Sequence, residues 1–282
     1  MPPTQTLSDA LHTASMLLAR SSSSARLDAE LLLAYVTGMP RSTFRAYPER
    51  GLPAQAGWAF QQLVKRRLKG EPIAYICGQQ EFWSLLFEVG PSVLIPRPET
   101  ELLVEKALTH VAAESPARVL DLGTGSGAIA LAIANERPSA QVIATDTSKE
   151  ALDIAHRNAA RLQVSNVVFV HGHWYEPLAD RQFDVIVSNP PYIAAEDPDL
   201  TADVRYHEPA LALIAGASGL QALELIIQGA PRHLPPAGWL LLEHGWKQAT
   251  AVRNMLVRAG FINVRSHIDL AGNERTTEGQ LA

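Results

Sequence analysis

Arg118-Val119-Leu120-Asp121-Leu122-Gly123-Thr124-Gly125-Ser126-Gly127-Ala128-Ile129-Ala130-Leu131-Ala132-Ile133-Ala134 reads as a short apolar strand, a turn with three glycines at alternate positions, and a helix. Outward from it, short apolar runs recur at 142–145, 167–170, 185–187, 240–243 and 261–264, separated by stretches of helical spacing. Strand, helix, strand in this order predicts a parallel sheet with helices on both faces. Ligands in such sheets bind outside the carboxyl ends of the strands, where the winding direction reverses. The strand-to-loop junctions are therefore where chemistry is expected.

Three junctions carry unusual residues. At the first, Gly123, Gly125 and Gly127, with Thr124 and Ser126 between them, permit a sharp turn and let a ligand approach main-chain atoms with no Cβ in the way. The spacing is G-x-G-x-G, not the G-x-G-x-x-G of nicotinamide and flavin binders, and no Lys-Ser/Thr pair follows to cradle phosphate. It favours S-adenosylmethionine over a dinucleotide, although a tight strand-to-helix turn alone also asks for glycine. At the second junction Asp146 ends a strand, where a carboxylate can accept both hydroxyl protons of a ribose or cap the next helix. At the third, Phe183-Asp184-Val185-Ile186-Val187-Ser188 runs into Asn189-Pro190-Pro191-Tyr192. Two prolines ending a strand do not explain the Asn and the Tyr.

That last string suits methylation of a planar nitrogen. An amide or aromatic amine nitrogen has a delocalised lone pair and is a poor nucleophile, so a site must hold it in line with the methyl group and stabilise the charge that develops. The Asn189 side-chain carbonyl and a main-chain carbonyl within Pro190-Pro191 can each accept one hydrogen of an NH₂ group. Proline has a locked φ and no N–H to compete, so the acceptors point in fixed directions. Tyr192 can lay its ring against the target plane. No general base is evident, and the methylated nitrogen is acidic enough to lose its proton through its acceptors.

Residues 7–68 show apolar positions at helical spacing without β-branched runs and read as a helical bundle, with Ser24 or a neighbour capping one helix. Lys65, Arg66, Arg67 and Lys69 read as a solvated helix end with cations near its last carbonyls. Residues 82–94 look like one or two extended segments broken at Gly90-Pro91, and Glu99-Thr100-Glu101 opens an amphipathic helix.

With 282 residues, 47% hydrophobic and 19% charged, the chain has the composition of a globular protein of one large domain or of a catalytic domain with a small companion. Its net charge of −5 is the wrong sign for a protein held on nucleic acid by phosphate neutralisation. The single cysteine, Cys77, lies between Ile76 and Gly78 and reads as a small inert hydrophobe. His171 and His173 lack a third metal ligand in view. Met1-Pro2-Pro3-Thr4 lacks the features of a signal peptide, and no apolar run is long enough to span a bilayer, so a cytoplasmic protein is expected.

The stretches Gly70-Glu71-Pro72-Ile73-Ala74-Tyr75-Ile76 and Leu94-Ile95-Pro96-Arg97-Pro98-Glu99-Thr100-Glu101, together with 121–127 and 189–192, resemble the PrmC/HemK protein-glutamine methyltransferases. Glu208-Pro209-Ala210-Leu211, Gly219-Leu220 and Glu243-His244-Gly245 extend the likeness over most of the chain from about residue 70. The resemblance implies an α/β, Rossmann-like class I methyltransferase fold with a seven-stranded, mostly parallel sheet and a small N-terminal helical domain. Its expected layout is a helical substrate-recognition domain at 1–78, a hairpin-like linker at 79–98 and the methyltransferase domain at 99–282. It further implies methyl transfer from S-adenosylmethionine, leaving S-adenosylhomocysteine, to the side-chain amide (N5) of the glutamine in the Gly-Gly-Gln motif of class-1 peptide-chain release factors. On this likeness Gly123, Thr124, Gly125, Ser126, Gly127, Asp146, Trp174 and Asn189 contact the cofactor, and Asn189, Pro190, Pro191 and Tyr192 hold the glutamine amide. A monomer with no metal, no stable nucleic-acid binding and no membrane association is expected. Residues 274–280 depart from the pattern, being poorly apolar for the antiparallel last strand, a composition that an edge strand tolerates.

Two other readings remain open at this point. An adenine-N6 methyltransferase of nucleic acid faces the same exocyclic NH₂ problem with a related motif, but would need base flipping and a basic recognition surface. A non-enzymatic S-adenosylmethionine-binding protein on the same fold would have no use for an intact 189–192.

Overall fold

The computed structural model describes residues 5–114, 116–197 and 202–282. The chain divides into two units, one of Met1–Gly78 with Ala202–His207, the other of Gln79–Thr201 with Glu208–Ala282.

In the first unit, helices Leu7–Leu18, Ala25–Thr37 and Ala54–Leu68 bury Leu7, Leu11, Leu18, Leu32, Leu33 and Phe60 against one another. Each such side chain contributes about 1.5–3 kcal/mol by leaving water. Thr6 begins the first helix by accepting from the Asp9 amide while Asp9 reaches back to the Thr6 amide. Ser24 occupies the expected cap position, yet its hydroxyl donates to Asp28 instead of accepting from the helix. In the basic cluster Lys65, Arg66 and Lys69 are exposed and Arg67 is half-buried. Arg67 donates to the buried Asp28 carboxylate at 2.8 Å, and Arg66 pairs with Glu71. Burial pushes the Cys77 thiol up to about 11, in keeping with an inert side chain.

The second unit opens with a hairpin, β1 (Gln79–Phe82) and β2 (Leu85–Glu88). The break falls at Trp83 and Ser84, both left-handed, and not at Gly90-Pro91. The Glu101 carboxylate holds this turn by accepting from the Trp83 amide at 2.7 Å, a contact that local spacing does not reveal. Phe82 and Phe87 are fully buried in the core of the second unit, so the hairpin expected as a linker packs as part of it.

The main sheet contains β3 (Arg118–Leu122), β4 (Gln141–Asp146), β5 (Val167–His171), β6 (Val185–Ser188), β7 (Trp239–Glu243), β8 (Phe261–Ile268) and β9 (Glu274–Leu281). Their order is β5-β4-β3-β6-β7-β9-β8, parallel except where β9 pairs with β7 and β8. Helices Glu101–His110, Ala128–Glu136 and Lys149–Leu162 bury one side, and Gln221–Gly229 and Ala249–Arg258 the other. Covered on both faces, β6 is apolar up to Ser188, and β3 is apolar but for its exposed first residue, Arg118, and the buried Asp121. The winding reverses between β4 and β6 on either side of β3, so the switch point lies where Leu122 pairs with Ser188.

One expectation is corrected. The polar last strand β9 is interior, and β8 is the edge. Thr276, Thr277 and Glu278 are fully buried there. Two of the three are met by long-range partners: Thr277 bonds Ser266 and His244, while Glu278 takes Arg265, His110 and, at 3.3 Å, His267; the Thr276 hydroxyl is buried without a hydrogen-bond partner.

Candidate functional site

Leu122, Ser188 and Leu242 lie side by side in register, and the Ser188 hydroxyl donates to the Leu122 carbonyl at 2.7 Å. The glycine turn, Asn189 and Glu243 therefore leave the sheet from one row. A cavity of about 660 Å³ opens there, bounded by the 123–126 turn, Asp146, Trp174, Asn189 and Pro191. Residues within 92–100, 128–129, 147–151, 172–173 and 209–225 complete its wall. Its size and mixed lining suit a small organic cofactor together with a side chain of a substrate.

The turn is built by backbone bonds. The Gly123 and Thr124 amides both donate to the Thr145 carbonyl on β4, and the Thr124 hydroxyl donates to Asp121 at 2.6 Å. Gly123 (φ +73°), Gly125 (φ +55°) and Gly127 (φ +83°) all lie in the left-handed region. They serve different ends. A Cβ on Gly125 would meet nothing within 4 Å, so that main chain is open to a ligand. A Cβ on Gly123 would lie 3.2 Å from the Trp174 ring, and one on Gly127 would press on Leu131 and Ala155. Gly127 is thus placed by helix packing and does not line the cavity.

Asp146 accepts from the Gly125 amide at 2.8 Å and from the Ser148 amide at 2.9 Å, one bond to each carboxyl oxygen. Helix capping falls to Ser148, which accepts from Ala151. Burial raises the Asp146 carboxyl above its ordinary range, against the pull of those amides. Each oxygen keeps a lone pair for a further donor such as a ribose hydroxyl. Trp174 has a left-handed backbone (φ 47°), its carbonyl held by Thr145, and its indole Nε1 is buried without a hydrogen-bond partner. An aromatic face beside an open glycine main chain, an available carboxylate and an orphaned donor together fit a nucleoside. The residues present therefore suit S-adenosylmethionine. Asp121, which carries no assigned role in the sequence reading, is fully buried with Oδ1 unpartnered, and burial pushes it up to about 7.

The 189–192 segment is braced from three sides. The Asn189 amide group donates to the Thr100 hydroxyl at 3.1 Å, the Tyr192 hydroxyl donates to Glu243 Oε1 at 3.2 Å, and Gln248 Nε2 donates to the Tyr192 carbonyl at 3.0 Å. Gly219 approaches so closely that a Cβ there would lie 2.4 Å from the same carbonyl. Asn189 and Pro191 line the cavity, whereas Pro190 is buried beneath it and Tyr192 is half-buried behind. Thr100, Glu243 and Gln248 escaped the sequence reading as site residues, although 94–101 and 243–245 were among the stretches that marked the resemblance. His171 reaches the Thr147 carbonyl, and among the described residues no group of three or more His, Cys, Asp or Glu side chains could hold a metal ion.

The Methyltransferase small domain family matches residues 98–211, and the PrmC N-terminal domain family matches residues 9–78. A Release factor glutamine methyltransferase of Pseudomonas aeruginosa is 55% identical over 262 residues, 93% of this chain and 94% of its own. One from Xylella fastidiosa is 52% identical over 256 residues, 90% of this chain and 93% of its own. Among solved structures, a methyltransferase from Pyrococcus furiosus is similar in fold, with a TM-score of 0.54 at 20% identity, over 78% of this chain and 98% of that one.

Proposed function

This chain belongs to the release factor glutamine methyltransferase family, and from that premise we infer how its own residues perform the family reaction. The protein is an S-adenosylmethionine-dependent enzyme that methylates the side-chain amide nitrogen of the Gly-Gly-Gln glutamine in class-1 peptide-chain release factors. The observation that carries the residue assignment is the register of Leu122 with Ser188, which opens the glycine turn and Asn189 onto one cavity.

In this reading Gly123, Thr124, Gly125 and Ser126 offer open main chain to the cofactor, Asp146 accepts from its ribose and Trp174 lies against its base. Gly127 supports the turn from behind. When bound, S-adenosylmethionine supplies a methyl group on a cationic sulfur. Thr100 engages the Asn189 NH₂ group, which leaves the Asn189 carbonyl oxygen as the acceptor that this side chain offers. That oxygen and the Pro190 carbonyl accept the two hydrogens of the substrate amide. Accepting both draws electron density onto the nitrogen and fixes its plane, and in-line positioning of this kind is worth roughly 7–11 kcal/mol. Pro191 stiffens the segment, and the Tyr192 ring backs the amide plane.

The helical domain at 1–78 grips the release factor, a role supported by the exposed aromatic side chains Tyr35, Tyr47 and Trp58. The methyltransferase domain begins with the hairpin. We place the protein in the cytoplasm as a monomer without stable nucleic-acid or membrane association. The net charge of −5 supports the absence of stable nucleic-acid binding, and no helix among the described residues is long and apolar enough to cross a membrane.

Peptide mass spectrometry after incubation with S-adenosylmethionine and a class-1 release factor, with an adenine-rich duplex in parallel, tests the reading. One methyl group mapped to the Gly-Gly-Gln glutamine is the expected result. Methyl on adenine alone would move the function to nucleic acid, and no transfer would leave only a cofactor-binding fold.

A further inference from the structure

Glu243 ends β7 one residue beyond Leu242, as Asn189 follows β6 one residue beyond Ser188, the register partner of Leu242. The carboxyl group is 1% exposed and accepts from the Tyr192 hydroxyl through Oε1. Thr100, also buried, takes the Asn189 NH₂ group on its hydroxyl oxygen and sits close enough to the Glu243 carboxyl to offset part of the rise that burial imposes on it. Both ends of 189–192 thus converge on one side chain: Tyr192 directly, Asn189 through Thr100.

Such a group is expensive to keep. Oε2 is buried without a hydrogen-bond partner, and an unmet buried carboxylate oxygen costs stability that a leucine at this strand end would not. Packing alone gives no reason for a carboxylate here. A reason appears in what the group holds, since a small displacement of an acceptor that must face a weak nucleophile is costly to rate.

We propose that Glu243 is a positioning residue for methyl transfer, fixing Tyr192 through its hydroxyl and Asn189 through Thr100 so that the acceptor pocket is formed before substrate arrives. The proposal rests on the function inferred above. It assigns Glu243 no contact with substrate or cofactor. Gln248 holds the Tyr192 main chain independently, so loss of Glu243 frees the ring and the Asn189 side chain but leaves the course of the segment in place.

The test compares Glu243→Ala, Glu243→Gln and Thr100→Val in turnover of a release factor, in calorimetric affinity for S-adenosylmethionine, and in the side-chain ¹⁵N resonance of Asn189. Glu243→Ala and Thr100→Val should each lower kcat by about tenfold or more, equivalent to about 1.4 kcal/mol. Cofactor affinity should stay within about twofold. Glu243→Gln keeps an acceptor for Tyr192 and should recover most of the rate. Adding Tyr192→Phe to Glu243→Ala should cost little more, because both remove one contact. The Asn189 resonance should move in Glu243→Ala and return in Glu243→Gln.

Unchanged kcat in Glu243→Ala, a loss confined to cofactor affinity, or full multiplication of the two effects would overturn the proposal. Thr100→Val, close in shape to the native side chain, gives the answer if Glu243→Ala does not fold. Absence of release-factor methylation by the wild type would instead count against the inferred function, while the Asn189 resonance would still report whether Glu243 holds it.

Discussion

The Gly125 amide donates to Asp146 Oδ2 at 2.8 Å, so the turn that follows β3 is pinned by the carboxylate that ends β4. One side chain thereby shapes the open main chain and presents the oxygens for a ribose. Asp146→Ala should weaken S-adenosylmethionine binding by about ten- to a hundredfold, the scale of about 1.5–3 kcal/mol for hydrogen bonds to a charged group. Calorimetry should find this loss with kcat at saturating cofactor much less affected. An equal loss in kcat with unchanged affinity would place Asp146 outside the cofactor contacts.

Gly123 and Gly125 share a left-handed backbone but face different surroundings, which separates two costs. Alanine at either position incurs backbone strain of about 1–2 kcal/mol. At Gly123 the new methyl group also presses on the Trp174 ring at 3.2 Å, whereas at Gly125 it meets no protein atom within 4 Å. Scanning calorimetry should therefore show a larger fall in melting temperature for Gly123→Ala than for Gly125→Ala. Both variants should bind the cofactor more weakly. Equal falls in melting temperature would mean that the Trp174 contact gives way freely.

The sequence makes the centre of this fold plain because β3 and β6 are covered on both faces, and short, mostly apolar runs followed closely by glycine or proline leave few other readings. The 189–192 string is legible for a different reason: its residue types make sense only as chemistry. The polar β9 misleads because burial of Glu278 is licensed by His110, 168 residues away. Thr100 and Glu243 stay hidden likewise, since their bonds to Asn189 and Tyr192 span 89 and 51 residues. Gly127 looks identical to Gly125 in sequence, and the packing of Leu131 and Ala155 tells them apart.

Burial pushes both Asp121 and Glu243 up to about 7, from ordinary values of 3.8 and 4.5. A carboxyl group whose folded pKa is raised stabilises the fold below its unfolded pKa, and that stability is lost as pH rises through the folded value. Chemical denaturation should accordingly show this contribution declining between about pH 4 and pH 7. Asp121→Asn and Glu243→Gln should each flatten part of that slope, and the double variant should flatten it further. A slope unchanged in the double variant would mean that both acids already ionise in the range of unfolded carboxylates.

Glu278 behaves in the opposite sense. Burial alone would raise it, but His110, His267 and Arg265 outweigh that cost and hold the carboxyl well below the usual range. A depressed folded pKa contributes stability that is present above the unfolded pKa, near 4.5, and is lost as pH falls toward the folded value. The resulting window lies below that of Asp121 and Glu243, so one titration of stability can resolve both. In the native chain acid should unfold the protein in the window that begins near pH 4.5. Glu278→Gln removes the titrating charge between β7 and β8, where His110 stacks on Trp239 at 3.9 Å, so it should lower stability at pH 7 and remove most of the acid-side slope. Removing one member of a buried charged cluster commonly costs about 3–5 kcal/mol, and the exposed Arg265 places the expected loss toward or below the lower end. An acid slope that survives in Glu278→Gln would assign acid sensitivity to other carboxylates and reduce the cluster to a packing device.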